Sequence, residues 1–144
     1  MTAGQVYLYH FYLAYPLTIN TIYTGINVSG TAGHLGVGIY TEAGNLQTSA
    51  TILLTGFGVQ TSSPTQVTLS PGWYYYAITI DSVTGSPAVE ACLTTIDSLD
   101  TTLAVRLWAR ATNTSTNGVL PATTGTLLAY NLSNMNVPRA VFSQ

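Results

Sequence analysis

Three features of this 144-residue sequence predict an all-β chain, an antiparallel β-sandwich of about eight to ten short strands with a jelly roll as the preferred topology. Apolar residues recur with period two in many short runs. Gly and Pro punctuate the gaps between those runs. No stretch of about 11 or more residues carries the 3.6-residue repeat of an amphipathic helix. The whole chain, 1–144, is expected to be one domain around one core, with residues 1–5 as an N-terminal arm.

The elements follow in chain order. Residues 5–13 and 17–28 are rich in Tyr, Ile, Thr and Val, and Pro16 separates them. In His34–Tyr40 the alternation is strict: Leu35, Val37 and Ile39 share one face, and Gly36 and Gly38 occupy the other, leaving room for something bulky, a covering segment or a partner, to lie across it. Glu42-Ala43-Gly44-Asn45 reads as a hairpin turn with Gly44 free to take a positive φ, and 46–54 as its return strand. Residues 56–64 read as a polar loop interrupted by Phe57 and Val59, and 66–69 as a strand. After the Ser70-Pro71-Gly72 turn comes the strongest strand, 73–81. It sets Trp73, Tyr75 and Ala77 on one side and Tyr74, Tyr76 and Ile78 on the other, so both sides need cover. Residues 88–93 form a further apolar piece, and 95–102 has room for one helical turn. Residues 103–110 alternate with Leu103, Val105 and Leu107 inward and Arg106, Trp108 and Arg110 outward. Residues 113–121 read as a polar loop, and 137–142 as a closing strand.

Composition narrows the function. Charged residues make up 6% of the chain, against about 25% in an ordinary soluble domain. There is no Lys, and the Arg are Arg106, Arg110 and Arg139. Three cations cannot neutralise a row of phosphates, so nucleic acid is not an expected partner. No run approaches the roughly 20 apolar residues of a membrane helix, and no basic stretch precedes the apolar 6–15 run as a signal peptide requires. Thr, Ser, Asn and Gln keep the surface wet but supply little repulsion between molecules, so the surface is expected to be covered by copies of the chain or by a larger assembly.

The residues of chemistry are sparse. The acids are Glu42, Asp81, Glu90, Asp97 and Asp100. Glu42 falls in a turn and Asp81 at a strand end, where solvation and capping account for them. A glycosidase needs two carboxylates a few ångströms apart in a cleft; Asp81 and Glu90 are the pair that a turn at 82–87 could bring together, but catalysis is not the expected reading. Cys92, His10 and His34 have no zinc spacing, and the acids have no calcium-loop spacing. His34, beside the two glycines, reads as a structural histidine. The expectation is a non-enzymatic protein with no catalytic residues, no metal and no cofactor.

Aromatics carry the positive signal. They cluster at 7–15 and 73–76, and Tyr and Trp suit protein interfaces and sugar platforms alike. Tyr7, Tyr9, Tyr74 and Tyr76, with the outward set Arg106, Trp108 and Arg110, are the expected partner contacts.

Leu35-Gly-Val-Gly-Ile-Tyr40, the Gly44-Asn45 turn, Val67-Thr-Leu-Ser-Pro-Gly-Trp-Tyr-Tyr75, Leu120-Pro-Ala122 and Pro138-Arg-Ala-Val-Phe142 together resemble a β-sandwich domain of bacteriophage structural proteins. The resemblance covers about residues 7–142 and rests on turn and core positions. It implies a virion protein, either a capsid decoration (cement) protein or the trimeric head of a tail fibre. Because Met1 directly precedes the domain, with no shaft, the expectation is a homotrimer on the outer capsid surface that binds the major capsid protein. A fibre or spike head that binds a host-surface glycan is the alternative.

Overall fold

The computed structural model describes residues 2–26, 33–54, 56, 58–81, 91–92, 108–129, 137–138 and 140–143. Among them every regular element is a β-strand, and all strand pairs are antiparallel. The largest sheet has six strands. At its centre lie β1 (Tyr7–Leu13), β8 (Gly72–Ile80) and β4 (His34–Thr41), flanked by β10 (Trp108–Ala111) and β11 (Leu127–Ala129) on one side and by β5 (Leu46–Leu53) on the other, in the order β11-β10-β1-β8-β4-β5. Three smaller groups complete the described chain: β13 (Ala140–Ser143), β3 (Thr21–Ile26) and β6 (Gly58–Ser62); β2 (Leu17–Ile19) with β7 (Val67–Leu69); and β9 (Ala91–Cys92) with β12 (Val137–Pro138).

Local chemistry explains the central strands. β8 is the run of aromatic and β-branched residues that the pleat favours, and it has a neighbour on each side. The β4–β5 hairpin closes at the expected turn: Gly44 takes φ 81°, and its N–H donates to the Thr41 carbonyl at 2.9 Å. A bulge at Ile39/Tyr40 adjusts the pairing just before that turn.

Period two then divides the large sheet into two faces. On the first, Leu35, Val37 and Ile39 of β4, Tyr76, Ile78 and Ile80 of β8 and Tyr7 of β1 are buried together with Ile19, Ile22, Ile26 and Leu69 from β2, β3 and β7. The predicted burial of Leu35, Val37 and Ile39 is therefore found. A buried hydrogen bond, Tyr76 Oη to Thr24 Oγ1 at 2.8 Å, spans the contact between β8 and β3. Burial pushes the Tyr76 phenol far up from its usual range, so it stays neutral and able to donate.

The second face carries Gly36, Gly38, Tyr40, Leu8, Tyr75, Ala77 and Thr79, and residues 115–122 of the same chain lie across it. A Cβ on Gly36 would run into the Gly118 carbonyl oxygen, and one on Gly38 would sit 2.7 Å from Leu120 Cδ1. Leu120 is buried there with Leu8, Tyr40, Tyr75 and Ala77. The Thr79 and Ser115 hydroxyls share a buried 2.6 Å hydrogen bond, Thr51 Oγ1 donates to the Gly118 carbonyl at 3.0 Å, and Tyr40 Oη donates to the Pro121 carbonyl at 2.6 Å. The covering segment turns on Asn117-Gly118, both at positive φ (51° and 73°), with reciprocal hydrogen bonds between Thr116 and Val119. Two successive positive φ values are the two-residue hairpin geometry that Asn-Gly adopts most readily.

Several expectations change. Residues 113–121 are not simply a polar loop, because their buried side seals the glycine face. The 17–28 run divides at Asn20: β2 pairs with β7, while β3 pairs with β6 and β13. Residues 58–62 form a strand rather than a loop, since pairing with β3 supplies the backbone hydrogen bonds that the polar composition concealed. Gly4 and Gln5 do not extend as an arm: the Gly4 N–H donates to the Ile80 carbonyl at 2.9 Å, and Gln5 Nε2 donates to the Ala111 carbonyl at 2.8 Å. The 95–102 turn and the 103–107 strand lie outside the described residues.

Substitutions on the two faces of β4 test this arrangement. Val37→Ala is expected to cost about 1–3 kcal/mol through lost burial and the cavity left behind. Gly36→Ala is expected to cost about as much by overpacking, near the upper end because its Cβ meets backbone. Urea unfolding midpoints give both values, and a neutral Gly36→Ala would mean that residues 115–122 are not seated on β4.

Candidate functional site, an aromatic ledge at the end of the large sheet

The same alternation places the even-numbered residues of β1 beside the odd-numbered residues of β8 on the second face. His10 is paired with Tyr75 and Tyr12 with Trp73. The cover formed by residues 115–122 does not hide the end of this face, where Tyr12 is 56% and Trp73 48% exposed. Their rings contact each other with centroids 5.0 Å apart at 56°. Behind them His10 is buried and stacked between Trp73 and Tyr75, with both centroid distances 4.6 Å and both interplanar angles under 30°. Thr41 of β4 pairs with Tyr74, so the next residue, Glu42, lies on the ledge side near Trp73. Its side chain is 63% exposed, and its Oε1 is 3.9 Å from His10 Nε2.

This ledge combines exposed aromatic area, a buried imidazole that fixes the ring positions, and one carboxylate. Flat rings with polar edges held in place by neighbours lose little conformational freedom when a partner docks, which is why such residues anchor interfaces. Among the described residues no group of three or more His, Cys, Asp and Glu is placed to hold a metal ion.

No family model, curated protein or solved structure matches this chain.

The expected contact residues are distributed differently. Tyr7, Tyr9, Tyr74 and Tyr76 do come together, as β1 and β8 partners, but on the inner face. Tyr7 and Tyr76 are buried in the core there, while Tyr9 and Tyr74 pack partly buried against it. Burial removes Tyr7 and Tyr76 from the expected partner contacts, because β2, β3 and β7 pack on the face they share. Arg110 is half-buried opposite Tyr7 rather than outward, because Ala109 and Ala111 are the β10 residues that pack with Leu8 on the second face. Arg106 and the side chain of Trp108 lie outside the described residues. The His34 backbone N–H donates to Asp81 Oδ1 at 2.6 Å, and its Nδ1 is 3.4 Å from the same oxygen, fastening the start of β4 to the end of β8.

Tyr12, Trp73, His10 and Glu42 were missed as a group. Trp73 and Tyr75 do alternate against Tyr74 and Tyr76 in the sequence, but both faces are aromatic, so alternation alone does not say which face is left open.

The two faces predict opposite mutational costs. Tyr76→Phe removes a buried hydrogen bond and is expected to destabilise by about 1–2 kcal/mol. Tyr12→Ala removes a mostly exposed ring and is expected to cost less than about 1 kcal/mol. Thermal or urea unfolding of the two variants side by side checks the assignment; the reverse order would exchange the inner and outer faces.

Proposed function

We propose that this chain is a non-enzymatic structural protein of a bacteriophage particle, a β-sandwich of jelly-roll type that assembles as a homotrimer on the outer capsid surface. There it binds the major capsid protein and reinforces the shell. The observation that carries a contact role is the ledge: two large aromatic rings stand half open to solvent on a chain with 6% charged residues. Exposed aromatic anchors on a surface that offers little charge repulsion are what a protein needs to adhere to another protein at high local concentration. The resemblance of the β4 and β8 motifs to phage structural domains supports placing that contact in a virion. The second reading is a fibre or spike head that binds a host glycan, favoured by the same pair, Tyr12 and Trp73, since open rings also support a sugar.

Attachment by such a surface depends on apolar area, which contributes roughly 25 cal/mol per Å² and is not screened by salt. Exposed ion pairs contribute about 0–1 kcal/mol each and are screened. Purified protein is expected to co-sediment with capsids that lack it in both low and about molar sodium chloride, where the Debye length is near 3 Å. Trp73→Ala is expected to weaken pelleting more than neutralising Arg139 does. Loss of most binding at moderate salt argues against the apolar contact, and absence of binding at every salt moves the assignment to the glycan-binding head.

Assembly has its own measurement. Sedimentation velocity at micromolar concentration is expected to give a trimer of the 15.2 kDa chain. A clean monomer would remove the homotrimer from the proposal.

A further inference from the structure

The ledge has a chemical character beyond its apolar area. Tyr12 of β1, Trp73 of β8 and Glu42 just after β4 come from three adjacent strands and lie side by side at one end of the sheet. Aromatic faces present the negative side of a quadrupole, and Glu42 adds a formal negative charge next to them. Among the described residues the other acid is Asp81, which is buried and bound to His34 at the opposite end of β4. Negative charge on the described surface is thus concentrated where the two exposed rings are.

We propose that Tyr12, Trp73 and Glu42 form a seat for a single organic cation, the ammonium or guanidinium of a lysine or arginine on a partner protein. The argument is one of charge complementarity. A cation within about 6 Å of a Trp or Tyr face is attracted by the ring, most strongly by Trp, and the attraction grows as the site is desolvated. The carboxylate completes the pairing from the side, and His10, stacked between Trp73 and Tyr75, holds the tryptophan ring so that the seat exists before the partner arrives. A second copy of this chain is a poor source of that cation: it has no lysine and three arginines, of which Arg110 is half-buried beside Tyr7. The occupant assigned here is a different protein that projects a basic side chain. This inference rests on the contact reading of the ledge and specifies the chemistry of what docks there.

The test uses the purified full chain and simple probes. The Trp73 indole N–H resonance, identified by its loss in Trp73→Phe, is followed during titration with choline and with N-acetyl-lysine methylamide. The neutral isostere 3,3-dimethylbutan-1-ol, methyl β-glucopyranoside and sodium chloride are titrated in parallel. Both cations are expected to shift the resonance saturably at millimolar concentration, with the isostere at least about fivefold weaker. Glu42→Gln, a substitution at an exposed turn residue, is expected to weaken choline about threefold or more. Tyr12→Leu, which keeps apolar area but removes the ring, is expected to weaken choline and spare the isostere. Equal binding of choline and the isostere would overturn the proposal in favour of a purely apolar platform. Tighter binding of the glucopyranoside would overturn it in favour of a glycan site, and absence of any saturable shift would overturn it outright. Because no capsid is present, this titration fails or succeeds independently of the co-sedimentation that tests the broader reading.

Discussion

The close approach of residues 115–122 to the glycine face of β4 is the constraint on which the rest of the described structure depends. The central strands are apolar on both sides, and a sheet of that kind cannot leave either side in water. β2, β3 and β7 cover one side; the chain's own later segment covers the other, and it fits because Gly36 and Gly38 have no side chains to keep it away. The hydrogen bonds of Tyr40, Thr51 and Thr79 to this segment satisfy polar groups that the contact removes from water. Left unpaired in such a place, each would cost about 1–3 kcal/mol.

That cover also defines where the surface is open. It seals Tyr40, Ala77 and most of Tyr75, and it leaves Trp73 and Tyr12 half exposed. The ledge is thus the uncovered end of a face that is otherwise interior. Its rings have the orientation of core residues, fixed by cross-strand stacking through His10, and the accessibility of surface residues. The surface made in this way is held by the backbone pairing of β1, β8 and β4.

The separation of roles between the two aromatic sets follows from the same geometry. Tyr7, Tyr9, Tyr74 and Tyr76 stabilise the fold from the inner face, where Tyr76 also reaches across to Thr24. Tyr12 and Trp73 stand half exposed on the other face. Sequence neighbours such as Trp73 and Tyr74 therefore do different work for one reason: the pleat points them in opposite directions.

The sequence by itself determined the all-β class, the alternating faces of β4 and β8, the turn at Gly44 and the need for something to lie across Gly36 and Gly38. These are local properties, set by side-chain period and backbone permissiveness within a few residues. It did not determine that β1 pairs with β8, that residues 58–62 become a strand, that Asn117-Gly118 folds a cover back onto β4, or which aromatic face stays open. Those depend on contacts between residues tens of positions apart, and no local period encodes them. Tertiary structure alone decided that Tyr7 and Tyr76 are core, that Tyr12 and Trp73 are surface, and that Glu42 stands beside them, because burial is a property of the strand that arrives from elsewhere and not of the strand that receives it.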